Sequence, residues 1–237
     1  MIHLETPKKF GALVAQAHQV AAQMFRPISR HYDRAEHAEP KELQMLASLL
    51  DGMNAGGGGG GAGAAGAGRE RSHADEGNRN GSNLSTVLGI MELCWGDVGL
   101  LLAMPRQGLG NSAIAAVAND EQLERFKGRW AAMAITEPGT GSDSANIRTT
   151  ARLDGDAYVL DGEKIYVTSG ARADLVVVWA TLDRNVGRAA FKSFVVEKGT
   201  PGFELVRLEH KLGIRASDTA AFVLKDVRVP KENLLGS

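Results

Sequence analysis

Residues 135–143 read ITEPGTGSD and follow the apolar run WAAMA. A tight turn needs two or three of these residues, and Pro138-Gly139 supplies them: proline presets φ and glycine tolerates geometries closed to other residues. The remaining groups are polar and have no turn to make. The Thr136 hydroxyl can donate and accept hydrogen bonds, and N–H groups around Gly141-Ser142 can meet phosphate oxygens. Further along, KIYVTSG sets Tyr166 and Thr168 on either side of Val167, so in a strand both point to one face. Hydroxyls, an aromatic ring and bare N–H groups are the equipment of a ligand site.

The composition excludes several alternatives. The chain has 237 residues with 27 basic and 28 acidic side chains, net charge −1. No long-range field draws it toward nucleic acid or an anionic membrane. One cysteine, Cys94, cannot close an internal disulfide, which fits a reducing compartment. The opening MIHLETPKKF lacks the basic and apolar regions of a secretory signal, and no apolar run reaches the ~18 residues of a membrane span. A cytoplasmic location is therefore expected. His18, His31, His37 and His73 lack metal-ligand spacing with acidic or cysteine partners. No metal is expected, and packing or solvated roles are assigned to them. Cys94 reads as a small buried hydrophobe, and Trp95 and Trp179 as core.

The elements that must position the site follow from periodicity. Thr6-Pro7 suits a helix start, and Phe10, Leu13, Val14, Ala17, Val20, Ala21, Met24 and Phe25 recur at helical spacing. A second helix is expected from Pro40 to Leu50. A third runs from Leu84 to about Leu102, with Val87, Leu88, Met91, Trp95 and Val98 near one side. Asn119-Asp120 is placed to cap a short charged helix, EQLERFKGRW. Residues 55–82 read as a flexible Gly-rich loop. Gly61-Ala62-Gly63-Ala64-Ala65-Gly66 matches GxGxxG, but any glycine tract does, and no strand precedes it. From about Trp130 the period becomes two. Asp154-Gly155 and Asp161-Gly162 read as hairpin turns of a three-stranded meander, and further short strands follow to the C-terminus. The expected architecture is α+β: an N-terminal all-α domain, 1–129, then an antiparallel β-barrel or sandwich domain, 130–237.

The stretch AMAITEPGTGSDSANIRTTARLDGDAYVLDGEKIYVTSG resembles the middle domain of the acyl-CoA dehydrogenases. HKLGIRASDTAAFVLKDVRVPKENLLG resembles that family's Ser-Asp-Thr segment and closing strand. The resemblance implies FAD as cofactor and α,β-dehydrogenation of an acyl-CoA thioester to the trans-2-enoyl-CoA, with electrons passed to an electron-transfer flavoprotein. It assigns the flavin to Met133, Ala134, Ile135, Thr136, Gly141, Ser142, Tyr166, Val167 and Thr168, with Ser142 also near the substrate. Glu137 is implied to serve its turn rather than act as a base. His210 falls on a loop near the substrate side, and Ser217-Asp218-Thr219 is a strand entry shaping the cleft. The catalytic base is expected beyond Ser237, in a C-terminal helical bundle, so no residue of this chain is assigned that part. The family also implies a homo- or hetero-oligomer. A catalytically inactive partner subunit, an acyl-CoA oxidase and a flavin monooxygenase share the scaffold and stay open from the residues.

Overall fold

The computed structural model describes residues 6–55, 82–106 and 109–236. The 56–81 part of the Gly-rich stretch, with the GxGxxG match and His73, lies outside the described residues. The helical part holds α1 (Gly11–Val20), a π-helical stretch (Ala21–Phe25), α2 (Arg26–Arg34), α3 (Glu42–Ala55), α4 (Ser82–Ala103), α5 (Leu109–Val117) and α6 (Asp120–Phe126). The expected first helix thus continues through a π-helical segment into α2. Thr6 does not cap it. The chain enters through a short 3-10 turn, Lys8–Phe10, with Pro7 at the cap position and no side-chain cap bond. At α6 the cap forms as expected: the Asn119 side chain accepts from Gln122 N, while Asn119 N donates to Gln122 Oε1.

The apolar face expected on α4 is present but turned outward. Val87, Met91 and Trp95 are each more than half exposed. Leu93, Leu100, Leu101 and Ala103 instead join Phe25, Tyr32, Leu43 and Leu46 in the helical core. The stripe was legible from spacing, but spacing alone cannot say which of two apolar faces meets a partner. Trp95 is correspondingly not core: its ring lies between His18 and Arg26. By length and composition alone, Leu84–Ala103 could cross a membrane; here 39% of it is buried inside the protein.

Seven strands follow: β1 (Ala131–Ala134), β2 (Thr150–Asp154), β3 (Ala157–Thr168), β4 (Leu175–Thr181), β5 (Phe191–Glu197), β6 (Phe203–Leu208) and β7 (Thr219–Pro230). They pair in the order β1-β4-β2-β3-β7-β6, with β5 also on β4. The α+β layout is as expected, but the sheet is mixed rather than antiparallel. β1 runs parallel to β4, and β2 meets β4 in a parallel bridge. Only tertiary pairing decides this, since both pairings show the same period of two. Asp154-Gly155 makes its hairpin, Gly155 taking φ 67°. Asp161-Gly162 does not: β3 runs straight through it, with a register shift between Leu160 and Gly162. Here glycine allows close approach, because a Cβ would stand 2.5 Å from Thr149 Oγ1.

The core of the β part is aliphatic, with Phe194 and Phe222 among Val176, Val178, Val196, Val227 and Leu160. A smaller cluster of Ile114, Phe126, Leu175, Val177 and Val195 fastens α5 and α6 to β1, β4 and β5. Gly110 in α5 sits against the β1 backbone, where a Cβ would meet Ala132 O at 2.3 Å and Ala131 O at 2.4 Å. Backbone atoms cannot swing aside as side chains can. Gly110→Ala is therefore expected to cost about 1–3 kcal/mol or more despite alanine's better helix propensity, measurable by denaturant unfolding.

Candidate functional site

The apolar strand β1 carries the chain into the Pro138-Gly139 turn. Glu137 N donates to Thr140 O at 2.9 Å and Thr140 N to Glu137 O at 3.1 Å, which closes the turn. Ile165 N donates to Thr136 O at 2.9 Å. That bond ties the exit of β1 to the end of β3 and so brings Thr136 beside Tyr166.

The end of β3 is irregular where it matters. Lys164 pairs with Phe222 and Val167 with Ala220, so Ile165 and Tyr166 share one opposing residue in a bulge. Tyr166 takes φ 58°, in the left-handed region. Such a conformation costs a non-glycine residue on the order of 1–3 kcal/mol. Tyr166 and Thr168 are exposed and Val167 is buried, so the two expected side chains do share a face.

These residues open on a cavity of about 670 Å³. Met133, Ile135, Thr136, Gly141, Tyr166 and Thr168 line it, joined by Ser144 and Ser169. Three expected residues stand apart. Ala134 and Val167 turn their side chains into the core, leaving only their backbone to the site, and Ser142 is exposed outside the lining, where Ser144 stands instead. Sequence reasoning missed the opposite wall: Ile90, Cys94, Val98, Leu101 and Leu102 from α4, and Leu109 and Ser112 from α5. The apolar run of α4 was visible, but which strand it would lie across was not. Cys94 is half-buried, and burial pushes its thiol pKa up, so it is a poor nucleophile.

The lining is mostly apolar, with the hydroxyls of Ser112, Thr136, Ser144, Thr168 and Ser169 among it, a chemistry that suits an aromatic group carrying polar substituents. Gly141 has neither a positive φ nor any atom that a Cβ would strike. The fold itself does not require glycine there, and the space it leaves faces the cavity. No carboxylate lines the cavity among the described residues.

Beneath the slot lies a buried ion pair. Lys164, wholly buried, places Nζ 2.7 Å from Glu137 Oε1 and donates to Ile135 O at 3.1 Å. Glu137 also accepts from Arg148 N at 2.6 Å, Thr149 N at 2.9 Å and Thr149 Oγ1 at 2.6 Å. Burial pushes the Glu137 carboxyl up, but these donors outweigh it and hold its pKa below the usual range. Burial lowers the pKa of Lys164, against the pull of Glu137. Glu137 thus knits its turn to β2 and β3, which is a structural task.

Asp218 accepts from Ala171 N at 2.9 Å, and its Oδ1 lies 3.3 Å from Arg172 Nε. Arg172 also donates to His37 O, Ala38 O and Ala216 O. The Ser217-Asp218-Thr219 segment therefore fastens the helical part to the sheet and lies outside the cavity lining. His210 is also away from the cavity, paired with Glu36 at 3.0 Å.

Residues 132–227 match the family described as Acyl-CoA dehydrogenase, middle domain. The chain is 38% identical over 168 residues to the short-chain specific acyl-CoA dehydrogenase of Clostridium acetobutylicum, covering 68% of this chain and 44% of that protein. Over 103 residues it is 48% identical to the mitochondrial short-chain specific acyl-CoA dehydrogenase of Bos taurus, covering 44% of this chain and 25% of that one. Butyryl-CoA dehydrogenase from Megasphaera elsdenii superposes with a TM-score of 0.79 at 28% identity, over 100% of this chain and 60% of that structure. The chain thus spans less than half the length of these curated relatives.

Proposed function

Because residues 132–227 belong to the acyl-CoA dehydrogenase middle-domain family, we propose that this chain supplies one wall of the FAD site of an enzyme that converts an acyl-CoA to its trans-2-enoyl-CoA. The supporting observation is the convergence of Thr136, Tyr166 and Thr168 on one apolar cavity roofed by α4. In this reading 1–129 is a helical domain and 130–237 a flavin-holding β-domain.

FAD bound in the slot would accept the substrate β-hydrogen as hydride. Tyr166 and Ile135 give an apolar face to a planar ring, and the Thr136 and Thr168 hydroxyls offer hydrogen bonds at its edge. The backbone from Met133 to Thr136 would supply further polar contacts, and N–H groups around Gly141 would meet the phosphates. α4 and α5 form the facing wall. The α-proton would fall to a carboxylate other than the cavity-lining residues, none of which is acidic among the described residues. An electron-transfer flavoprotein receives the electrons, and further copies of family members complete the assembly.

The test joins this chain to the C-terminal part of a short-chain relative. The fusion is expected to purify with bound flavin and to oxidise butyryl-CoA with an artificial acceptor. A folded fusion that neither quenches FAD fluorescence nor turns over would overturn the reading.

A further inference from the structure

We propose that Glu36, His37 and His210 form a binding site for a divalent transition cation of the zinc class, bridging the helical part and the β6–β7 connection. One ligand atom from each lies within 4.8 Å of those of the other two. The donors come from segments 174 residues apart, so only the tertiary fold assembles them. Spacing along the sequence gave no sign of it, and the proposal departs from the packing or solvated role expected for His37.

The state of His37 supports the assignment. Both ring nitrogens are buried and neither has a hydrogen-bond partner. An imidazole whose two nitrogens are both buried and idle asks for an ion or water as partner. The residue is also held at φ 67°, with its carbonyl accepting from Arg172 Nη2 at 3.2 Å. That fixes its backbone where the last turn of α2 ends. The His210 ring lies 5.4 Å from the His37 ring, centroid to centroid. Its Nδ1 is 3.0 Å from Glu36 Oε2. Ligands about 2.0–2.1 Å from a tetrahedral metal stand roughly 3.4 Å apart, so a small closure of an exposed His210 side chain completes the set. Two imidazoles and a carboxylate suit zinc or cobalt, whereas magnesium and calcium prefer all-oxygen shells.

Lys211 N donates to Glu36 Oε1 at 2.9 Å, which leaves Oε2 on the His210 side. Arg215 is the internal competitor: its Nη2 donates to the same Oε2 at 3.1 Å. A bound metal must displace that guanidinium, so removing Arg215 should strengthen binding rather than weaken it. A latch built only of ion pairs predicts no such effect.

The experiment titrates the chelator-treated chain with Zn²⁺ against a chromophoric competitor, and with Co²⁺ followed by visible absorption. Saturable binding at one equivalent is expected, with the intense visible bands of tetrahedral cobalt. His37→Ala and His210→Ala should each weaken Zn²⁺ more than about 10-fold, and Arg215→Gln should tighten it several-fold. His210 is largely exposed, so its variant stays folded and keeps the test decisive, with circular dichroism as the check. Unchanged Zn²⁺ affinity in His210→Ala, or cobalt spectra of the free aquo ion, would overturn the proposal.

Discussion

Lys164→Met is expected to lower the unfolding free energy by about 3–5 kcal/mol, because it strips the cation from a buried carboxylate. The loss has three sources in the structure: the 2.7 Å contact with Glu137, the bond to Ile135 O, and the desolvated charge left behind. The double variant Glu137→Gln/Lys164→Met should recover part of the loss, since a neutral amide needs no counter-charge. The pH dependence carries the sign. The folded-state pKa of Glu137 is depressed, so its contribution is present above the ordinary carboxylate value. It drains away as pH falls through the lower, folded value. Without Lys164 the folded pKa moves back up, and the acid slope of stability becomes shallower. Denaturant melts of both proteins from neutral to acid pH measure this. A Lys164→Met protein with wild-type stability and an unchanged acid slope would show that the pair contributes nothing.

Tyr166→Ala is expected to act on a bound ligand instead of the fold. The side chain is 60% exposed over the cavity, so its removal takes little from the core. If the ring stacks on flavin, its lost burial is worth roughly 1.5–3 kcal/mol, or about 10–100-fold in FAD affinity. Tyr166→Phe should keep most of that affinity. Tyr166→Gly separates the two effects most clearly: relief of the left-handed φ should raise stability by about 1 kcal/mol, while FAD binding falls as in the alanine variant. Fluorescence titration of the fusion with FAD, beside thermal melts, reads both. FAD affinity unchanged in Tyr166→Ala would remove the ring from the site.

The two strands that carry the site were legible because their chemistry is local. Pro138-Gly139 after an apolar run dictates a strand and a turn, and a period of two around Val167 sets Tyr166 and Thr168 to one side. The hairpin at Gly155 was legible for the same reason. Asp161-Gly162 misled because the same dipeptide serves a turn or a bulge. Thr149, distant along the chain, decides between them by approaching the glycine. The Lys164–Glu137 pair left no trace in sequence, since charged residues in alternating strands ordinarily face solvent.

By itself, then, the sequence determined helices before strands, the turn after β1, and the side-chain types offered to a ligand. All of these rest on interactions between residues a few positions apart. Only the tertiary structure decided that β1 runs parallel to β4, that the Val87–Trp95 face of α4 turns outward while Cys94 and Leu101 roof the cavity, and that Glu36 and His37 meet His210. Those outcomes depend on which distant surfaces exclude water together, and burial is a property of the folded chain rather than of any stretch of it.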